Sequence, residues 1–387
     1  MAKKSDTTAI TSGRSGFSSL SGPTWGSTVW ESENLEDARQ RATTLRSNDF
    51  YGRYANPTVT QFEAAIAELE GAESGLAFAS GMGAIASTVL ALCNQGSHIV
   101  AQNNMYGATL SFLQGPCARL GIETTFVDAK VPGAFSQAVI PGRTTLVLAE
   151  TPSNPLLTIT DLEEIGKISG PFTVVDSTLA TPFGQRPLEH GVDIVLHSAT
   201  KGIGGHNDAL LGVVAGEKDL VDAIWSYSIM HGAVPSAHDA LNALRGIRTL
   251  PIRVARQHSS LLEIAHALEK HPRVTKVHHP FLNSHPQHAL ASQQMNFGGT
   301  VLSFEIDGGF NDCARFVDAL NLAHVATSFG GPETLICHPA TSTHVGLSPD
   351  DLEKSGISQG LLRLSVGLEN SADIIDDLSA ALDTAAS

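Results

Sequence analysis

The sequence predicts an α/β protein. A large domain is built on a mostly parallel sheet, a smaller C-terminal α+β domain follows, and an arm precedes both. Three observations predict this. At 387 residues the chain exceeds the roughly 150 of one ordinary domain. From about residue 58, short β-branched runs alternate with helical stretches, and strands so separated need crossover connections, hence parallel pairing. Past residue 250 the alternation gives way to one long helical stretch and a His/Pro-rich loop.

In chain order, residues 1–57 form the arm. Positions 1–50 are rich in Ser, Thr, Gly and Arg and lack a sustained helical or strand period, so they are either disordered or laid across a partner chain. The large domain spans 58–250. Thr58-Val59-Thr60 puts hydroxyls ahead of Phe62, Ile66 and Leu69, a helix start at three-to-four spacing. Strands are predicted at 97–101, 124–127, 145–148, 172–175 and 193–196, with capped or amphipathic segments such as 109–120 and 161–168 between them. Such a sheet carries its chemistry at the carboxyl ends of its strands. The small domain spans 251–387. Pro251-Ile252-Arg253 leads a helix through Leu268, the His/Pro-rich loop covers 278–288, and strands follow at 300–304 and 362–366.

Composition excludes several classes. The hydrophobic fraction is 42% and the charged fraction 16%, below the roughly one quarter of a soluble domain, as expected for a compact enzyme that also hides surface between subunits. A net charge of −15 repels a phosphate backbone, so no nucleic-acid partner is expected. No apolar run reaches the ~18 residues of a membrane span. Met1-Ala2-Lys3-Lys4-Ser5-Asp6 has no apolar core of a secretory signal. Cys93, Cys117, Cys313 and Cys337 form no Cys-x-x-Cys pair and read as reduced core residues of a cytoplasmic protein. His278-His279 and His285-x-x-His288 lack cysteine or acidic co-ligands at metal spacing, so no metal is expected.

Lys201 is the leading catalytic candidate. It lies in Val195-Leu196-His197-Ser198-Ala199-Thr200-Lys201-Gly202, just past an apolar strand. Burial there disfavours the ammonium form and suits Schiff-base and proton-transfer chemistry; a lysine closing a strand at the surface is the plain alternative. Ser198 and Thr200 flank it with hydroxyls able to bond a phosphate. Ser198 to Lys201 also spells Ser-x-x-Lys, but the Ser-Asp-Asn and Lys-Thr-Gly partners of that acyl-transfer motif do not occur. Asp176 closes the strand at 172–175 and either caps the next turn or faces the lysine across one cofactor. Ser80-Gly81-Met82-Gly83-Ala84 precedes an apolar helix and offers backbone N–H groups to an anion. It lacks the Gly-x-Gly-x-x-Gly spacing of a dinucleotide site. Tyr106 follows the strand at 97–101, where a ring can stack on a flat cofactor or sit in the core. Phosphate donors, a stacking ring, an acid and a lysine at successive strand ends together point to pyridoxal phosphate. The lysine would form the imine, and the acid would keep the pyridine nitrogen protonated.

The same residues carry a resemblance. The chain resembles the Cys/Met-metabolism group of pyridoxal-phosphate enzymes, the trans-sulfuration enzymes, from about residue 51 to 369. The shared segments are Tyr51-Gly52-Arg53-Tyr54-Ala55-Asn56-Pro57-Thr58, Ala79-Ser80-Gly81-Met82, Glu150-Thr151-Pro152-Ser153-Asn154-Pro155, His197 to Lys201, Gly205-His206-Asn207-Asp208, His338-Pro339-Ala340 and Arg363-Leu364-Ser365-Val366-Gly367-Leu368-Glu369. The resemblance implies a fold-type-I enzyme acting on a small amino acid, a homotetramer built from two dimers, with active sites shared across each dimer. It makes Lys201 the Schiff-base lysine, Asp176 the pyridine partner and Tyr106 the stacking ring and acid–base helper. Ser80, Gly81, Met82, Ser198 and Thr200 hold the phosphate, joined by Tyr51 and Arg53 of the neighbouring subunit. Asn154 meets cofactor and substrate, and Ser328 and Arg363 hold the substrate. The Arg363 fork matches an α-carboxylate.

The implied chemistry is removal of the α-proton by Lys201, followed by loss of a group from Cγ. Water ends the sequence as a lyase, giving 2-oxobutanoate, ammonia and a thiol; a thiol nucleophile ends it as a replacement enzyme. The chain departs from the family pattern at informative places. Methionine γ-lyases carry Cys where it has Ala108 and Lys-Asp where it has Ser228-Ile229. Cystathionine enzymes typically carry Glu where it has Thr327, several place Arg near Ser111, and Asp-Asn is usual where Asp176-Ser177 stands. The expectation is a carbon–sulfur γ-lyase of cystathionine or a smaller sulfur amino acid. The alternatives are a γ-replacement enzyme (cystathionine γ-synthase or O-acylhomoserine sulfhydrylase) and a methionine γ-lyase. An inactive cofactor-binding scaffold is the reading from another class, and intact Lys201, Asp176 and Arg363 speak against it.

Overall fold

The computed structural model describes residues 3–14 and 18–384. Met1 and Ala2 of the chain start, and positions 15–17 of the arm, lie outside the described residues.

Two sheets organise the chain. β1 (Ser74–Phe78), β2 (His98–Gln102), β3 (Glu123–Val127), β4 (Thr144–Glu150), β5 (Phe172–Asp176), β6 (Ile194–His197) and β7 (Gly212–Gly216) form a seven-stranded sheet in the order β1-β7-β6-β5-β4-β2-β3. Pairs from β3 across to β6 are parallel, whereas β7 runs antiparallel to both β6 and β1. β1 therefore points the same way as β6, and its carboxyl end joins those of the parallel strands on one edge. β2 and β6 are buried throughout, which is why Ile99-Val100-Ala101 and Ile194-Val195-Leu196 read as short apolar runs. The five strands predicted in this region are present. β1 and β7 escaped prediction because glycines interrupt their apolar pattern. At Gly212 the omission of a side chain is required: a Cβ there would meet the Ser80 carbonyl oxygen at 2.1 Å.

Helices Gly81–Leu92 and Lys218–His231 cover one face of this sheet, closing over Leu76, Val89, Leu196 and Trp225. Pro57–Glu70 and Ala237–Ile247 cover the other, over Phe62, Ile66, Val195 and Val213. The helix expected to begin on Thr58 is capped one turn-position earlier, where the Asn56 side chain accepts the Thr58 N–H and Pro57 occupies the first turn. The expected helix at 109–120 divides into Gly107–Phe112 and a π-helical turn, Leu113–Cys117. Pro116 lies in that turn and has no N–H to continue an α-helical ladder.

The arm is more regular than its sequence suggests, with helices at Ser5–Thr11 and Leu35–Thr43. The second buries none of its residues. It is held locally: Asn34 accepts the N–H groups of Glu36 and Asp37, and Arg39 and Arg41 pair with Glu36 and Asp37. Such a helix has no hydrophobic period to read.

β8 (Val274–His278), β9 (Val301–Ile306), β10 (His324–Val325), β11 (Leu335–Cys337) and β12 (Leu361–Ser365) form the second sheet in the order β10-β11-β12-β9-β8. Its core joins Leu302, Phe304 and Leu364 to Leu261 and Ile264 of helix Leu250–Lys270 and Leu378 of helix Ser371–Thr384. The long helix also reaches both sides of the molecule. Arg253 donates to the carbonyls of Gly202 and Gly246, each at 2.9 Å. One turn on, Gln257 donates to those of Gly331 (2.8 Å) and Val366 (3.0 Å). In the His-rich loop, His278 Nε2 pairs with Glu305 at 2.9 Å and His288 Nδ1 meets the Pro280 carbonyl at 3.0 Å. Among the described residues, no group of three His, Cys, Asp or Glu side chains could hold a metal, and no helix is long and apolar enough to cross a membrane.

Candidate active site

The carboxyl edge of the first sheet opens into a cavity of ≈ 270 Å³. Ser80, Gly81, Met82, Tyr106, Asn154, Asp176, Ser198, Thr200, Lys201, Ser328 and Arg363 all line it. Eleven of the thirteen residues singled out in the sequence are thus brought together, from strand ends and from the second sheet. Tyr51 and Arg53 are the other two, and they lie elsewhere on their own chain. Arg53 donates to the Ile229 carbonyl at 2.6 Å and stands over the Tyr54 and Tyr51 rings, while Tyr51 is 41% exposed.

Lys201 sits in the turn after β6, where Lys201 N–H donates to the Ser198 carbonyl (3.1 Å) and Gly205 N–H to that of Lys201 (2.8 Å). Its Nζ donates to Ser328 Oγ at 2.9 Å and lies 5.5 Å from the Phe329 ring centre. Burial, with a smaller contribution from the Arg363 charge, pulls the amine down to about 8. Near neutral pH this lysine therefore loses its proton far more readily than an exposed one.

Asp176 is the last residue of β5. Its Oδ1 accepts from Thr178 N–H (2.9 Å) and Thr178 Oγ (2.5 Å). The Thr178 hydroxyl in turn accepts Ser198 N–H at 2.8 Å, tying the acid to the lysine turn. Asp176 thus both holds the following turn and lines the cavity. Burial pushes the carboxyl up, and the Thr178 bonds and nearby His197 oppose the shift.

The Ser80 side chain caps helix Gly81–Leu92 by accepting the Gly83 N–H at 3.0 Å. This leaves the helix's first turn, with its backbone N–H groups, facing the cavity beside Ser198. A Cβ on Gly81 would come within 2.8 Å of the Ser198 Cβ, so glycine lets the helix start and the lysine turn close on each other. The Thr200 hydroxyl is locked against Leu211, accepting its N–H at 2.9 Å and donating to its carbonyl.

Arg363, on β12, is 3% exposed. Nη1 donates to Asn154 Oδ1 and Nη2 to the Ser328 carbonyl, both at 2.9 Å, while buried Nε has no partner. Ser328 has a φ of 82°, unusual for a residue with a side chain. That conformation points its carbonyl at Arg363 and its hydroxyl at Lys201. A buried guanidinium with donors to spare calls for an anion. Tyr106, 40% exposed, stands at the cavity mouth.

Sequence reasoning missed Glu150, Thr178, Phe329 and Thr343, which also line the cavity. Glu150 ends β4 as Asp176 ends β5, and the two are partners in register; the rule that found Asp176 applies equally to Glu150. Burial and the Asp176 charge push Glu150 up to about 8. The residues fit pyridoxal phosphate. A helix start and two hydroxyl-bearing residues suit its phosphate, buried Asp176 suits a protonated ring nitrogen, and Lys201 suits its aldehyde.

Comparison with known proteins gives concordant results. A family model described as "Cys/Met metabolism PLP-dependent enzyme" matches residues 6–383. The L-methionine γ-lyase of Fusobacterium nucleatum subsp. nucleatum is 40% identical over 385 residues, covering 97% of each chain. The L-methionine γ-lyase of Pseudomonas putida is 42% identical over 346 residues, covering 88% of this chain and 87% of that one. Among solved structures, the cystathionine γ-synthase of Xanthomonas oryzae pv. oryzae in complex with cystathionine superposes with a TM-score of 0.94 at 35% identity, covering 100% of this chain and 99% of that one.

Proposed function

The chain belongs to the Cys/Met-metabolism PLP-dependent enzymes, and on that premise we propose that it is a carbon–sulfur γ-lyase acting on sulfur amino acids. Its α/β architecture is the fold type I of that family, and its cofactor is pyridoxal phosphate. One observation carries the reading: the buried Lys201 amine, the Asp176 carboxyl and the Arg363 guanidinium face one cavity from three different strands or strand ends.

In this reading Ser80, Gly81, Met82, Ser198 and Thr200 hold the cofactor's phosphate, Asp176 its ring nitrogen and Tyr106 its face. Bound pyridoxal phosphate supplies an electron-accepting ring that takes up the charge left when the substrate's Cα–H bond breaks. Arg363, with Asn154 and Ser328, grips the substrate α-carboxylate and aims Cα–H at Lys201. The lowered Lys201 amine takes that proton and returns one nearby, which a permanently charged lysine does not do. Tyr106, at the mouth, meets the departing sulfur. Tyr51 and Arg53 complete the phosphate site of a neighbouring subunit, the arm of residues 1–57 reaches that subunit, and two such dimers form a tetramer. The large and small domains span 58–250 and 251–387. Four buried free cysteines suit the cytoplasm.

The distal wall favours a short, uncharged tail. Beyond Arg363, Lys201, Asp176 and Glu150, which face the cofactor and carboxylate ends, the lining is Thr327, Thr343, Leu210 and other uncharged side chains. Cystathionine's second amino-acid head finds no charged partner there within the chain. γ-Replacement, as in cystathionine γ-synthase or an O-acylhomoserine sulfhydrylase, uses the same residues and is the second reading. The test is 2-oxobutanoate formation from methionine, homocysteine and cystathionine with no added thiol. Product establishes the lyase; product only from an activated homoserine plus thiol establishes replacement. Cofactor absorbance with no turnover of any of these substrates would leave only an inactive cofactor-binding scaffold.

A further inference from the structure

Glu150 lies in the cavity but has no part in the chemistry above, and its bonding is unusual. Oε1 accepts the Asn154 N–H at 2.8 Å and Oε2 accepts the Tyr106 N–H at 2.7 Å. Its own backbone is fixed by Gln102, whose Oε1 accepts the Glu150 N–H and whose Nε2 donates to the Glu150 carbonyl, both at 3.0 Å. One carboxylate therefore ties the turn after β2, which carries Tyr106, to the turn after β4, which carries Asn154. Asn154 in turn accepts from Arg363. Both oxygens act as acceptors, so an ionised carboxylate serves better here than any neutral side chain of the same shape.

Resting on the function proposed above, we propose that Glu150 is a positioning residue that sets Tyr106 and Asn154 as one unit, and that its charge is coupled to that of Asp176 beside it. Asp176 faces it from β5, uncharged Gln102 from β2 and Thr160 from the following loop, while the Lys201 and Arg363 cations line the same cavity. Two buried acids on adjacent strands repel one another. A cation held against Asp176 relieves that repulsion, lets Glu150 ionise, and strengthens its grip on both turns. Burial and the Asp176 charge push the Glu150 carboxyl up to about 8, within the pH range of the test.

The experiment separates this from a purely structural role. In a Lys201→Ala background the lysine neither titrates nor bonds the cofactor, so equilibrium dialysis against pyridoxal phosphate, with bound cofactor read by absorbance, reports the remaining groups. The ratio of dissociation constants with and without Glu150→Gln should change about tenfold between pH 6.5 and 9. In the enzyme with Lys201 intact, Glu150→Gln should raise KM about tenfold, the loss of one charge-assisted bond, with a smaller fall in kcat. A pH-independent ratio, or a KM within twofold of the parent, overturns the proposal. If Glu150→Gln does not fold, Glu150→Asp keeps the charge but is too short to reach both N–H groups. It should keep the pH step and raise KM, and a parental KM there overturns the proposal as well. Absence of cofactor binding at every pH in the Lys201→Ala protein with Glu150 intact would instead sink the functional reading beneath it.

Discussion

Arg363→Lys keeps a positive charge on β12 and removes the fork, so it separates recognition of a carboxylate from simple attraction to one. Nη1 and Nη2 each hold one neighbour at 2.9 Å and Nε is unpartnered in a side chain that is 3% exposed. A substrate carboxylate bound by two charge-assisted hydrogen bonds keeps one with lysine. The loss is about 1.5–3 kcal/mol, which is ~10- to 150-fold in binding. The carboxylate carries the same charge before and after the C–S bond breaks, so the loss is uniform: KM rises by that factor while kcat stays within about threefold. The assay is 2-oxo acid release against substrate concentration, with cofactor content fixed by absorbance. An amine inhibitor lacking the carboxylate should bind parent and variant equally. A KM within about twofold of the parent at full cofactor occupancy would remove Arg363 from the carboxylate site.

Lys201→Ala should abolish turnover, leave the far-ultraviolet circular dichroism unchanged, and let dialysis against cofactor-free buffer strip the cofactor; residual activity above about one thousandth would contradict its assigned role. Mixing Lys201→Ala chains with Arg53→Ala chains should regenerate activity above either parent, because one of the two sites in each mixed dimer is then whole. Recovery of none would show that the arm serves its own chain. Acid should destabilise the fold through histidines buried as neutral rings. Burial holds His285 and His344 down at about 4 against an ordinary 6.5, so their contribution is complete above pH 6.5 and is lost as pH falls from there towards 4. That is as much as about 3 kcal/mol each. Urea midpoints at pH 7 and 4.5 measure it, and His285→Gln should flatten the difference; an equal drop in both proteins would assign the acid sensitivity to carboxylates.

The legible parts of this protein were those where one local rule fixed one outcome. Strands buried on both faces announced themselves as Val- and Ile-rich runs, and their carboxyl ends then pointed to Lys201 and Asp176. Arg363 was reachable only through family resemblance, because its neighbours Asn154 and Ser328 are 209 and 35 residues away in the chain. Nothing local to β12 distinguishes it from any arginine on a strand. Glu150 was missed for a different reason. It stands at a strand end like Asp176, but its two partners are backbone N–H groups, which leave no trace in side-chain identity. The helix Leu35–Thr43 was invisible because it is stabilised by capping and ion pairs on an exposed surface, with no apolar face.

The grip of helix Leu250–Lys270 on both sheets has a consequence for how this enzyme tolerates change. Arg253 and Gln257 are four residues apart, about 6 Å along the axis, and they hook the lysine turn and the end of β12 respectively. The helix thus works as a caliper whose jaws set the gap between Lys201 and Arg363, although neither hook lines the cavity. Deleting one residue between them would swing the second hook about 100° around the axis and release one jaw. On the outer face, Ile252 and Arg256 are exposed in the chain. Directed evolution that samples only cavity-lining positions would therefore leave the spacing between Lys201 and Arg363 untouched.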